Sequence, residues 1–240
     1  MDLQSSQMLS MLLLLTTFVL QIFVHFWFKN AVNKYSKMTA RNGRTGYSMA
    51  IEMLQKHGIY DVQIIQGTNF LSDCYNPKNK TITLSPDVYH GNSIMAQAVA
   101  CHEVGHAVQW HKGYEAISIR NLILPIANFA SKVLWFLFIL LFLGIFLNFV
   151  SFSGMITIIM GIVIALGCIA IFQLVTLPIE FDASKRAKEY LKQNNFLTQE
   201  EFQGAKIVLN RAAMTYVIAF ISTILTIAAY IIRFTALARR

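Results

Sequence analysis

The chain has 240 residues, of which 55% are hydrophobic and only 13% charged, with a mean hydropathy of +0.51. A soluble domain carries about 25% charged residues, so this composition excludes an ordinary soluble globular protein and indicates a membrane protein. The net charge of +8 raises the question of nucleic acid, but the Lys and Arg stand beside apolar runs and not in a stripe interleaved with aromatics, so they read as topology signals and lipid-surface contacts.

Met8–Phe28 is an apolar run of about 20 residues, long enough to span a bilayer. Its only preceding charge is Asp2 and no small-x-small cleavage site follows, which is unlike a signal peptide. Lys29, Lys34, Lys37, Arg41 and Arg44 come next, so the positive-inside tendency puts the N-terminus outside and the following region, 29–120, in the cytoplasm. Within it, Tyr47–His57 reads as a helix stopped by Gly58, and Tyr60–Ile65, Phe70–Tyr75 and Thr81–Leu84 read as three strands. The last two are joined by the turn Asn76-Pro77-Lys78-Asn79. Thr81–Leu84 is the expected edge strand, which either accepts an extended substrate or simply stabilises the hairpin.

Ser93–Trp110 reads as one helix, N-capped by Asn92 or Ser93, and carries His102-Glu103-Val104-Gly105-His106. Two His four residues apart share a helix face and can put ring nitrogens on one metal ion. Zinc lowers the pKa of a bound water to about 7, and the carboxylate of Glu103 is placed to take its proton. Cys101 points about 100° away from His102 and is not expected to be a ligand. His111 lies about 140° around the helix from His106, so a third ligand must come from elsewhere. Three cysteines (Cys74, Cys101, Cys168) without a C-x-x-C pair suggest no disulfide framework and suit a reducing compartment.

Arg120–Lys132 is mixed and suits a membrane interface. The apolar runs 133–150 and 155–177, joined by a Ser/Gly turn, read as a membrane hairpin that returns the chain to the side it left. Pro178 follows, and Glu180 is expected to open a new helix in a cytoplasmic segment, 178–211, kept inside by Lys185, Arg186, Lys188 and Lys192. Thr198-Gln199-Glu200-Glu201 is a capping box that starts the last helix, whose apolar part, 212–232, is a fourth span. The expected fold is therefore a mainly α-helical integral membrane protein. It has about four transmembrane helices and a small α+β zinc-peptidase region at the cytoplasmic face.

Three stretches, 84–93, 102–109 and 173–184, resemble the bacterial YugP-like neutral zinc metallopeptidases. More distantly, the order His-Glu-x-x-His, membrane hairpin, Glu is similar to HtpX and the CAAX prenyl proteases. The resemblance covers nearly the whole chain. It implies a multi-pass peptidase of the cell membrane with one zinc ion per chain. The implied ligands are a gluzincin-like set, His102, His106 and Glu180, with Glu103 as general base. HtpX-like enzymes often carry Asp four residues after the ligand Glu. Here that position is Ser184, and Asp182 is the nearest carboxylate for an orienting role. A His is expected near Cys74 in such proteins and is absent.

The leading functional expectation is an endopeptidase acting on proteins or peptides, membrane proteins among them, with the lipid bilayer as its surroundings and no nucleic acid. The alternative is a proteolytically inactive zinc-binding scaffold or transporter. A transport path would call for polar or ionisable residues inside the spans, and after residue 133 they hold little beyond Asn148 and Gln173.

Overall fold

The computed structural model of the chain describes residues 3–69, 72–147, 150–193 and 195–237. Its elements are α1 (Leu3–Tyr35), α2 (Gly46–Lys56), β1 (Gln63–Gln66), β2 (Cys74–Asn76) and β3 (Thr81–Leu84), followed by α3 (Pro86–Tyr89), α4 (Ile94–His111), α5 (Glu115–Phe146), α6 (Phe152–Gln193) and α7 (Gln199–Leu237). Parts of several expected features lie outside the described residues. These are Phe70 and Leu71 of a strand, Asn148 and Phe149 of the second span, Asn194, and the terminal Arg239 and Arg240.

The chain divides into two compact units. One comprises Met1–Val24, Ser118–Thr176 and Tyr216–Arg240, and the other His25–Ile117 and Leu177–Thr215. In the first, Ile158, Ile162 and Leu166 recur every four residues on α6 and form a buried seam against Leu134, Leu137 and Leu141 of α5 and Ile227 and Tyr230 of α7. Large apolar side chains, among them Phe18, Phe129, Trp135 and Phe142, remain exposed. Among the described residues, four helices, α1, α5, α6 and α7, are long and apolar enough to cross a membrane.

Each of these helices runs further than its apolar stretch. Helix α1 continues past Phe28 because Ala31, Val32 and Tyr35 form a buried stripe in the second unit's core. Helix α5 begins at Glu115 and passes through Pro125, so the mixed segment 120–132 and the apolar run are one element. The sharpest departure is at Pro178. It lies inside α6, and Glu180 does not open a new helix. Proline deletes one backbone hydrogen bond, normally enough to kink or end a helix. Beyond it, Ile179, Ala183, Ala187 and Leu191 recur every four residues and are buried, which ties the following turns into the core.

The second unit is built around α4, which is buried on nearly all faces, from Ile94 to Gln109. Ser93 is its N-cap, accepting a hydrogen bond from the Ala96 amide. Helix α2 ends before Gly58, whose φ of +71° suits glycine. The sheet has the order β1-β3-β2. β3 pairs in parallel with β1 (Ile64 opposite Ile82) and antiparallel with β2 (Tyr75 opposite Ile82). Thr81–Leu84 is therefore the central strand and not an edge. Ile82 and Leu84 are wholly buried, whereas β1 and β2 carry exposed polar residues such as Gln63, Gln66 and Asn76 at the two edges.

The capping box at the start of α7 forms as expected. Thr198 N donates to Glu201 Oε2, and Glu201 N donates to Thr198 Oγ1. The second oxygen of Glu201 accepts from the Arg41 amide and so fastens the loop after α1 to the start of α7.

Candidate metal centre

Helix α4 supplies His102 and His106 one turn apart, with ring centroids 4.7 Å from each other and planes at 83°. Helix α6 supplies Glu180, a carboxylate only 5% exposed. Glu180 Oε2 stands 3.3 Å from His102 Nε2 and 3.6 Å from His106 Nε2. The three donor atoms all lie within 4.8 Å of one another.

This donor set fits zinc. Ligand atoms about 2.0–2.1 Å from a tetrahedral ion stand roughly 3.3–3.4 Å apart, close to the two separations found. Imidazole and carboxylate are also the donor types that zinc takes in hydrolytic centres, where three protein ligands leave one position open. Asp182, two residues after Glu180, points elsewhere, and His57, His90 and His111 are not in the cluster. Cys101 is fully buried, with its thiol pushed up by desolvation, and is not in the cluster either.

Two contacts make this close approach of α4 and α6 possible. Gly105 sits between the two His, and a Cβ at that position would lie 2.7 Å from the Ala183 carbonyl oxygen and 3.0 Å from the Ala183 Cα. Only a residue without a side chain lets α6 come so near. On the far side of His106, Gln109 reaches from α4 to α6 and donates to the Ile179 carbonyl at 2.7 Å and to Asp182 Oδ2 at 2.8 Å.

Each imidazole has a polar partner at its second nitrogen. His102 Nδ1 is 3.1 Å from Ser184 Oγ, and His106 Nδ1 is 3.0 Å from Gln109 Oε1. Metal-bound His rings are oriented in this way by the groups behind them. Asp182, expected as the nearest orienting carboxylate, touches neither ring. It meets His106 only through Gln109 and is itself paired with Arg186. Ser184, which looked like a departure, is the group that meets His102. No role for Gln109 was expected. Its signal was a lone amide three residues after His106 in an apolar stretch.

Glu103 is buried, 7% exposed, beside the cluster. Desolvation raises its pKa most. The nearby His102 and His106 oppose that rise, and the charges of Glu180 and Asp73 add to it. Glu180 behaves oppositely. Desolvation would raise it, but hydrogen bonds and charge from both His hold it well below the usual carboxylate range. Burial would lower His106, and the hydrogen bond and charge of Glu180, then Glu103 and Gln109, outweigh this and raise it. Strand β2 runs alongside. The Cys74 thiol is pushed up by burial and then by the charge of Glu103, so this edge strand lies within electrostatic reach of that carboxylate. Asp73, which precedes it, is held by the amide and hydroxyl of Ser85.

Residues 10–235 match the family described as "putative neutral zinc metallopeptidase". The chain is 38% identical over 227 residues to "Putative membrane protease YugP" of Bacillus subtilis (strain 168), covering 95% of this chain and 97% of that protein. No solved structure matches it. With nearly the whole length matched, and with a donor set suited to zinc, the chain belongs to this neutral zinc metallopeptidase family.

Proposed function

We propose that the protein is a multi-pass membrane endopeptidase that binds one zinc ion through His102, His106 and Glu180 and uses Glu103 as general base. The observation that carries this reading is the convergence of both Nε2 atoms on one Glu180 oxygen, at tetrahedral donor spacing, beside a second buried carboxylate. Bound there, zinc would polarise a scissile carbonyl and acidify water. Glu103, not itself a ligand, takes the proton from the attacking water and passes it to the leaving amine. Burial raises its pKa, which favours the later return of the proton to the leaving amine.

An extended substrate pairs with the exposed edge of β2, not with β3, whose two sides are already hydrogen-bonded. Burial of the donor set, with Glu180 three residues after the apolar run 155–177, favours substrates that are membrane proteins or their juxtamembrane ends. The exposed apolar faces of α1 and α5 suit lipid. We read the catalytic region as cytoplasmic, a reading supported by the basic residues after the first and third apolar runs and the positive-inside tendency.

The test is zinc content and cleavage of casein or a membrane protein by the purified chain and by Glu103→Gln. The variant keeps its zinc and loses cleavage by roughly 10²–10⁴-fold. Undiminished proteolysis by the zinc-loaded variant overturns the mechanism. Zinc without cleavage in the unaltered protein supports the scaffold reading instead.

A further inference from the structure

We infer that Gln109 is a positioning residue that holds His106 with its hydrogen on Nδ1 and its Nε2 free for metal, and that Asp182 fixes the Gln109 amide in the one orientation able to do so. This rests on the zinc reading of His102, His106 and Glu180.

The argument is a count of donors and acceptors. Gln109 is completely buried. A carboxamide has one accepting oxygen and an amino group with two hydrogens. The Gln109 nitrogen faces the Ile179 carbonyl at 2.7 Å and the Asp182 carboxylate at 2.8 Å, and both of these groups only accept. Turning the amide over would set its oxygen against two acceptors in a buried place, where an unmade hydrogen bond is costly. The nitrogen therefore stays toward α6, and the oxygen stays toward His106 Nδ1 at 3.0 Å. An oxygen in that position can only accept, so Nδ1 must carry the hydrogen. The lone pair of the neutral ring then lies on Nε2, the atom that faces Glu180.

Arg186 holds the far end by donating to the same Asp182 oxygen. The chain His106–Gln109–Asp182–Arg186 thus runs from one helix to the other, and α6 supplies the expected third ligand, the Ser184 hydroxyl behind His102 and the Asp182 carboxylate that holds Gln109 behind His106. His102 is served differently. Its partner Ser184 has a hydroxyl that can donate or accept, so that contact orients the ring without dictating which nitrogen is protonated.

The experiment compares the full chain in detergent with Gln109→Leu, Asp182→Asn and Ser184→Ala. The readouts are zinc affinity by chelator competition, the imidazole N–H proton resonances of the zinc-loaded protein, and unfolding of the metal-free protein. Gln109→Leu keeps the bulk of the side chain and is expected to weaken zinc by about 10–100-fold, the usual effect of removing a group behind a metal-bound His. It should also displace one imidazole N–H resonance, while Ser184→Ala displaces the other. Asp182→Asn removes the charge from that acceptor, so the Gln109 amide is held less firmly, by a neutral oxygen and the Ile179 carbonyl. It should weaken zinc and disturb the same resonance as Gln109→Leu.

Unchanged zinc affinity in both Gln109→Leu and Asp182→Asn, with melting alone lowered, means that Gln109 is only structural and overturns the inference. If Gln109→Leu does not fold, Asp182→Asn decides. An unaltered protein that binds no zinc sinks the proposed function itself, a result distinct from variants that bind as tightly as the parent.

Discussion

Replacing Gly105 by Ala adds one methyl group at the closest approach of α4 and α6. The new Cβ would sit 2.7 Å from the Ala183 oxygen, where ordinary contact begins at 3.4 Å. Both partners are helix backbone, so no side chain can swing aside, and the helices must part by about 0.7 Å. Overpacking of this kind costs about 1–3 kcal/mol, against which alanine recovers up to about 1 kcal/mol of helix propensity. The net loss of stability is therefore modest, about 0–2 kcal/mol. The effect on the site is larger. Metal–ligand distances tolerate only about 0.2 Å, and the displacement falls between the helix bearing His102 and His106 and the helix bearing Glu180. Zinc affinity should drop by at least tenfold, and cleavage by about 10²-fold, the effect of a misplacement approaching 1 Å. Chelator competition, read beside thermal unfolding of the metal-free protein, separates the two effects. A Gly105→Ala protein that binds zinc as tightly as the parent and cleaves at the parent rate would refute the close-approach argument.

Glu180→Ala should abolish stoichiometric zinc binding, whereas Asp182→Ala retains weakened binding and His111→Ala binds as the parent does. Zinc content of the three purified variants checks this, and normal zinc in Glu180→Ala would remove Glu180 from the ligand set. With Lys78 or Gln193 changed to Cys, labelling from outside intact cells should fail, and ready labelling of either would place the catalytic region on the opposite face. The metal-free protein should lose stability as pH rises above the ordinary His value of 6.5, since the raised His106 contributes stability below 6.5 that is lost as pH passes its folded pKa. The raised Glu103 acts in the same direction, and the depressed Glu180 contributes at all pH above 4.5 and is lost only on strong acidification. Zinc affinity should rise over the same range as the ligands lose their protons, and a metal-free melting temperature that climbs from pH 6.5 to 9 would contradict the assignment.

The amino-acid sequence by itself determined what depends on neighbours a few positions apart. The period of the α-helix puts His102 and His106 on one face whatever surrounds them, and the capping box at Thr198–Glu201 closes on its own backbone. The apolar runs likewise announce four helices that can cross a membrane, because length and hydropathy are local quantities. Tertiary structure decided whatever needs a partner distant in the chain. Thr81–Leu84 became the central strand because β1 joined it in parallel on the side away from β2, which no alternation pattern reveals. Pro178 stayed inside α6 because the turns after it are packed, and packing outweighs the single hydrogen bond that proline removes. Gln109 and Asp182 are 73 positions apart, and His102 and Ser184 are 82 apart. Only the approach of α4 to α6 over Gly105 makes these pairs neighbours, since a hydrogen bond reaches about 3 Å and the chain between them says nothing of where its ends will meet.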